Sequence, residues 1–151
     1  MPEKAIVDTS VLIALEKLHL SQALCKLYSE VIIPHAVVEE FGRPDLPCLT
    51  IRPVQSRLTN LFVQELSLGK GESEVIALAV ETGIRAIIDD SKARKIAESL
   101  GLKVVGTIGI LLKAEATGLI SSAYQEAIKL KKIGFYLSDE LLNKLSSREV
   151  V

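Results

Sequence analysis

Short, wholly apolar runs, each followed by a segment of helical periodicity, constrain this chain more than any other feature. Ala5-Ile6-Val7, Val31-Ile32-Ile33, Ala86-Ile87-Ile88 and Val104-Val105 contain no polar alternation. A strand with one face in water alternates apolar and polar residues, so these runs read as strands buried on both faces. Buried strands alternating with helices build a parallel sheet with helices on both sides. The expected architecture is a three-layer α/β/α sandwich around a parallel sheet of four strands.

Helical spacing fills the intervals. Val11, Leu12, Leu15 and Leu18 share one face over 9–18, and Val75, Ile76, Leu78 and Ala79 mark a strongly apolar helix over 72–81. Further helices are expected over 21–28, with Ser21 as N-cap, and over 36–41, 56–66 and 107–116. Ser91 is expected to cap a helix over 91–100 that Gly101 stops. Two more follow at about 121–132 and 138–147. Residues 44–54 read as a Pro-rich loop holding a short extended piece at Leu49-Thr50-Ile51, and Gly69-Lys70-Gly71 reads as a turn. No repeat or linker divides the chain, so one domain over 1–151 is expected.

Composition removes several classes of function. With 48% hydrophobic residues the chain can form a core, so it is not a disordered segment. Its 18 Lys+Arg against 19 Asp+Glu exclude a polybasic nucleic-acid coat or membrane binder. No apolar stretch reaches the roughly 18 residues that span a bilayer, and no leader pattern is visible. Cys25 and Cys48 form no CxxC and stand at no zinc-finger spacing. They are expected as two unpaired thiols in a reducing cytoplasm.

Chemistry is concentrated in the carboxylates. In open α/β sheets the ligand site lies off the carboxyl ends of the strands. Two strands end in acid there: Val7 runs into Asp8, and Ile88 into the pair Asp89-Asp90. Glu40 lies four after Ala36 on a small-residue face. Glu72 stands three before Val75 and four before Ile76, on the buried stripe of its helix, where an unpaired charge is costly. Glu39 and Glu74 read as ordinary solvated acids. If Asp8, Glu40, Glu72 and Asp90 converge, a cation must stabilise them. Oxygen-only donors without His or Cys suit a hard ion, Mg²⁺ or Mn²⁺, and such a site carries out phosphoryl chemistry.

At this point the sequence resembles the PIN-domain family of metal-dependent ribonucleases, which includes toxins of prokaryotic toxin–antitoxin pairs. The matching pieces are Val7-Asp8-Thr9-Ser10-Val11-Leu12-Ile13, Ile33-Pro34-His35-Ala36-Val37-Val38-Glu39-Glu40-Phe41 and Gly71-Glu72-Ser73-Glu74-Val75-Ile76-Ala77-Leu78-Ala79. They continue with Asp89-Asp90-Ser91-Lys92-Ala93-Arg94-Lys95-Ile96-Ala97 and Gly106-Thr107-Ile108-Gly109-Ile110-Leu111. The match covers a core of about 5–118 and leaves a helical extension over 119–151. It implies a sandwich with an acidic pocket for Mg²⁺ or Mn²⁺ and hydrolysis of single-stranded RNA. Carried across by position, Asp8, Glu40, Glu72 and Asp90 are the family's acids, with Asp89 as a rival to Asp90. Ser10 and Thr107 match small hydroxyl positions that orient a carboxylate or a bound water. The Asp-Asp-x-x-Ala-Arg segment and the tail from Gly134 to Leu142 resemble an uncharacterised prokaryotic branch more than the well-studied toxins.

Weaker features complete the reading. Arg94 and Lys95 stand close enough after the acid pair to touch phosphate. Lys129, Lys131 and Lys132 read as a solvated helix end, and His19 and His35 as structural or exposed. Aromatic residues make up only 4% of the chain, so base stacking on aromatic platforms is not expected, and recognition is expected to rest on the metal and on phosphate contacts. A receiver-type phosphoacceptor also carries acids at strand ends, but its doublet follows the first strand, whereas here Asp8 stands alone and the doublet comes late. A second reading is a catalytically weak PIN-like module that binds RNA or protein. The apolar content of 107–132 exceeds what four strands need, so a homodimer is expected. An antitoxin is the protein partner that the resemblance implies.

Overall fold

The computed structural model describes residues 3–149. Strand β1 (Lys4–Val7) leads through helix α1 (Thr9–Lys17) and the short α2 (Ala23–Leu27) to β2 (Glu30–Ile33). Helix α3 (His35–Phe41) precedes β3 (Leu49–Ile51), and α4 (Leu58–Leu66) and α5 (Lys70–Thr82) precede β4 (Arg85–Ile87). Helix α6 (Ser91–Ser99) leads to β5 (Val104–Val105), and α7 (Thr107–Ala116), α8 (Ala123–Lys132) and α9 (Asp139–Glu149) follow.

All strand pairings are parallel, in the order β3-β2-β1-β4-β5. Ala5, Ile6 and Val7 at the centre are fully buried, as are Val31 to Ile33 and Ala86 to Ile88, because helices cover both faces. Helix α5 packs on β1 and β4 and gathers α3, α4 and α6, while α7 contacts α1, α2 and α8. Among the described residues this is an α/β/α sandwich, as expected.

The sheet has five strands rather than four. Residues Leu49 to Ile51 are not a loop fragment: Val31 pairs with Leu49 and Ile33 with Ile51. Three half-buried residues between prolines carry no buried-strand signal, so only the pairing with β2 reveals this edge. Helix α2 starts at Ala23, later than expected, and Ser21 does not cap it. Helix α5 starts at Lys70, so Gly69 is its N-cap and Gly71 lies in its first turn rather than in a separate turn. Helix α6 is capped by Asp90, not Ser91, with the carboxylate accepting from the Ala93 N–H at 2.9 Å.

The thiols are not free. Cys25 and Cys48 form a disulfide, with Cα atoms 5.7 Å apart. Both border the start of β2: α2 runs into that strand through Tyr28, and the Val31 N–H donates to the Cys48 carbonyl at 3.0 Å. A separation of 23 residues says nothing about this meeting, because the parallel pairing of β3 creates it.

The late helices use their apolar residues within the chain. Leu111, Ala123 and Leu130 pack with Ala14 and Leu18, and Ala127 packs with Leu142 and Leu145 of α9. The surplus apolar surface over 107–132 is thus largely absorbed internally. No helix among the described residues is long and apolar enough to cross a membrane.

Candidate metal centre

Strand order decides where the site lies. The chain moves outward from β1 through β2 to β3, then returns to place β4 on the other side of β1. The reversal makes the crevice between the carboxyl ends of β1 and β4 the switch point, where open α/β sheets bind ligands. Asp8 follows β1 there, held by its own N–H donating to the Ile87 carbonyl at 3.0 Å. Asp89 and Asp90 leave the neighbouring strand.

A cavity of about 620 Å³ opens at this point, lined by Asp8, Glu40, Glu72, Asp89 and Asp90 together with Ser10. The carboxylates come from the ends of β1 and β4 and from α3 and α5. No Lys, Arg or His lines the cavity among the described residues.

Each acid has a distinct setting. Asp8 is 4% exposed and is the N-cap residue of α1, although its side chain accepts no capping bond. Burial raises its pKa from 3.8 to about 6, helped by the charges of Glu40, Asp89 and Asp90 and opposed by a hydrogen bond from Thr9. Glu72 is half-buried in the first turn of α5. Burial raises it from 4.5 to about 7, with the charges of Asp8 and Asp90 and a hydrogen bond to Asp90 adding to the shift. Asp90 is exposed and spends one oxygen on its cap of α6. Asp89 is tied more firmly, accepting from the Thr107 N–H at 2.7 Å and from its hydroxyl. Thr107 thus orients a carboxylate at the mouth of α7.

Two features absent from sequence reasoning shape the pocket. The Glu40 carboxylate lies directly against Gly71, where a Cβ would collide with Oε1 and sit 3.0 Å from Cδ. A Cβ there would push the Glu40 carboxylate aside, so glycine at 71 lets that acid of α3 rest against the start of α5. Glu74 is not a free solvated acid: its Oε1 accepts from the Ala36 N–H at 3.0 Å, pinning the start of α3 to α5. Neither left a signal in the sequence, because each depends on a residue that another helix delivers. Glu39 is exposed and pairs loosely with Lys70 at 3.9 Å.

Other expected contributors divide. Ser10 lines the cavity, and its buried Oγ has no hydrogen-bond partner. Thr9 Oγ1 is likewise buried without one. Arg94 is half-buried and lines an adjoining cavity, whereas Lys95 is exposed and lines neither. His19 and His35 are exposed. Lys129 and Lys131 form ion pairs with Glu126 and Asp139, both at 3.0 Å.

The donor set suits a hard divalent ion. Its oxygens carry uncompensated like charge, Gly71 keeps the floor open, and two hydroxyls beside Asp8 are unsatisfied. Among the described residues, however, no three acids stand together as a finished ligand cage.

None of the curated proteins compared with the chain matches it significantly. A family model described as a PIN domain matches residues 4–149, nearly the whole length. PIN domains are generally nucleases and typically use divalent metals. The fold, the position of the crevice and that match agree: the chain belongs to the PIN-domain family.

Proposed function

We propose that the chain is a divalent-metal-dependent endoribonuclease that hydrolyses phosphodiester bonds of single-stranded RNA. One observation carries this reading: five carboxylates open into one cavity that, among the described residues, no cationic side chain lines. Left alone, such a cluster opposes folding, and a divalent ion offsets it. Mg²⁺ and Mn²⁺ fit the donors equally.

In this reading Asp8, Glu72 and Asp90 hold the ion, with Glu40 or Asp89 as further donors. The chemistry such an ion supplies is polarisation of a phosphodiester oxygen and activation of a water. Asp8, rooted at the sheet, fixes the depth of the site. Thr107 keeps Asp89 aimed along the cavity wall. The Ser10 hydroxyl, lacking a partner, is free to orient a carboxylate or a water.

Calorimetry with Mn²⁺ and cleavage of a labelled single-stranded RNA test this together. Wild type is expected to bind Mn²⁺ and cleave. Asp8→Asn is expected to lose affinity by more than the roughly 10- to 100-fold that removing an outer-shell partner costs. If wild type binds no divalent ion at millimolar concentration, the reading is wrong.

A second reading, a PIN-like module that binds RNA or protein without turnover, is favoured by the lack of a finished ligand cage. It predicts RNA binding with no cleavage at any Mn²⁺ concentration.

A further inference from the structure

The acidic cavity has a neighbour of different character. A second space of about 620 Å³ adjoins it, and Ser10, Asp89 and Tyr136 line both. Its walls are mostly apolar, with Val105, Ile108 and Leu137 among them, and among the described residues Arg94 is its one cationic side chain and Asp89 its one carboxylate. A volume of this size with apolar walls and few polar groups is typical of a small-ligand site.

The Arg94 guanidinium and the Asp89 carboxylate both lie over Gly106. A Cβ at Gly106 would stand 2.6 Å from the Arg94 Nη1 and 2.7 Å from Asp89 Oδ1. Glycine at 106 is therefore what lets the guanidinium and the Asp89 carboxylate close over the same stretch of backbone. The guanidinium thus sits at the boundary between the two cavities.

Tyr136 is the second anomaly. Of three Tyr and three Phe, Tyr28 and Phe62 are core residues, and Phe41, Tyr124 and Phe135 pack against apolar clusters. Tyr136 is 90% exposed. Its neighbours Phe135 and Leu137 are half-buried in the cluster around Leu111 and Leu130. The linker between α8 and α9 is thus anchored on both sides of a ring that it holds in solvent at the lip shared by the two cavities.

We propose that the second cavity seats the nucleotide next to the cleaved bond, with its base stacked on Tyr136 and its phosphate met by Arg94. This deepens the ribonuclease reading and rests on it. The occupant is an unpaired nucleotide, because a base leaves its own stack readily only in a single strand. The two cavities differ in charge: five carboxylates line the first, whereas in the second the Arg94 guanidinium faces a single carboxylate, Asp89, which leaves Arg94 as the group there that can meet a phosphate. An aromatic face accepts any base, so the subsite confers strandedness rather than sequence. The low aromatic content points away from base stacking, yet one exposed ring at the lip suffices for one base.

The test uses the full chain with Mn²⁺ and a short single-stranded RNA whose phosphorothioate linkages resist cleavage, carrying one fluorescent purine analogue. Tyr136→Ala is expected to weaken binding roughly 5- to 100-fold and to abolish the stacking-dependent quenching of the analogue. Tyr136→Phe keeps the ring and is expected to retain both. A hairpin stem of the same sequence is expected to bind wild type and Tyr136→Ala alike. Arg94→Gln is expected to lower the slope of log Kd against log salt by roughly one. Wild-type affinity and quenching in Tyr136→Ala overturn the subsite and leave the nuclease reading standing. Quenching by a wild type that never cleaves ordinary RNA supports the subsite and overturns the nuclease reading.

Discussion

Asp8 and Glu72 carry the electrostatic strain of the site, and its sign fixes how stability responds to pH. Both pKa values are raised by burial and neighbouring carboxylates, to about 6 and about 7. Without a bound ion the folded protein therefore keeps protons that the unfolded chain has released. The stability these groups contribute is fully present below about pH 4 and is lost as pH rises through 6 and 7. For Asp8, the rise from 3.8 to about 6 corresponds to roughly 3 kcal/mol. Urea midpoints in chelator at about pH 5 and about pH 8 measure this: the difference is expected to shrink in Asp8→Asn. Mn²⁺ needs ionised carboxylates, so it is expected to stabilise wild type more at the higher pH. At this scale the sequence was informative about Asp8, Asp89 and Asp90, because an acid directly after a buried strand has a fixed place in a parallel sheet. It was silent on Gly71, whose importance depends on Glu40 arriving from another helix.

The elements around the crevice are locked to one another by its own acids. Asp89 fastens β4 to the start of α7 through Thr107, Asp90 caps α6, and Glu74 fastens α5 to α3. The adjacent aspartates can be separated by experiment. Asp89→Ala removes both bonds to Thr107 and is expected to cost roughly 1–2 kcal/mol in denaturant unfolding, as loss of a helix cap does. Asp90→Asn keeps an acceptor for the Ala93 N–H, so its midpoint is expected to move little while Mn²⁺ affinity falls in calorimetry. A large loss of stability in Asp90→Asn would contradict that division. Periodicity located the helices well, because their apolar stripes are long. It failed where information was not local, since β3 exists only through its pairing with β2, and it misplaced two caps: α2 has no side-chain cap, and α6 is capped by Asp90 rather than Ser91.

Over the whole molecule, the Cys25–Cys48 bridge is the largest departure from expectation. It ties α2 to the chain entering the edge strand, closing a loop of 23 residues. A loop of that length corresponds to about 3 kcal/mol of stabilisation in the chain-entropy account. Reduction with dithiothreitol is expected to lower the urea midpoint accordingly, and Cys25→Ser is expected to match the reduced wild type. An unchanged midpoint would mean that the bridge adds nothing. The bridge also guards one flank of a sheet whose outer strands are short, β3 with three residues and β5 with two. Pro47 and Pro53 bracket the former and cannot donate to a ladder. A neighbouring copy seeking to extend this sheet finds almost no free backbone to pair with. Crowded solutions of the protein are thus poorly templated for fibril growth, although its interior strands are as apolar as those of many aggregating segments.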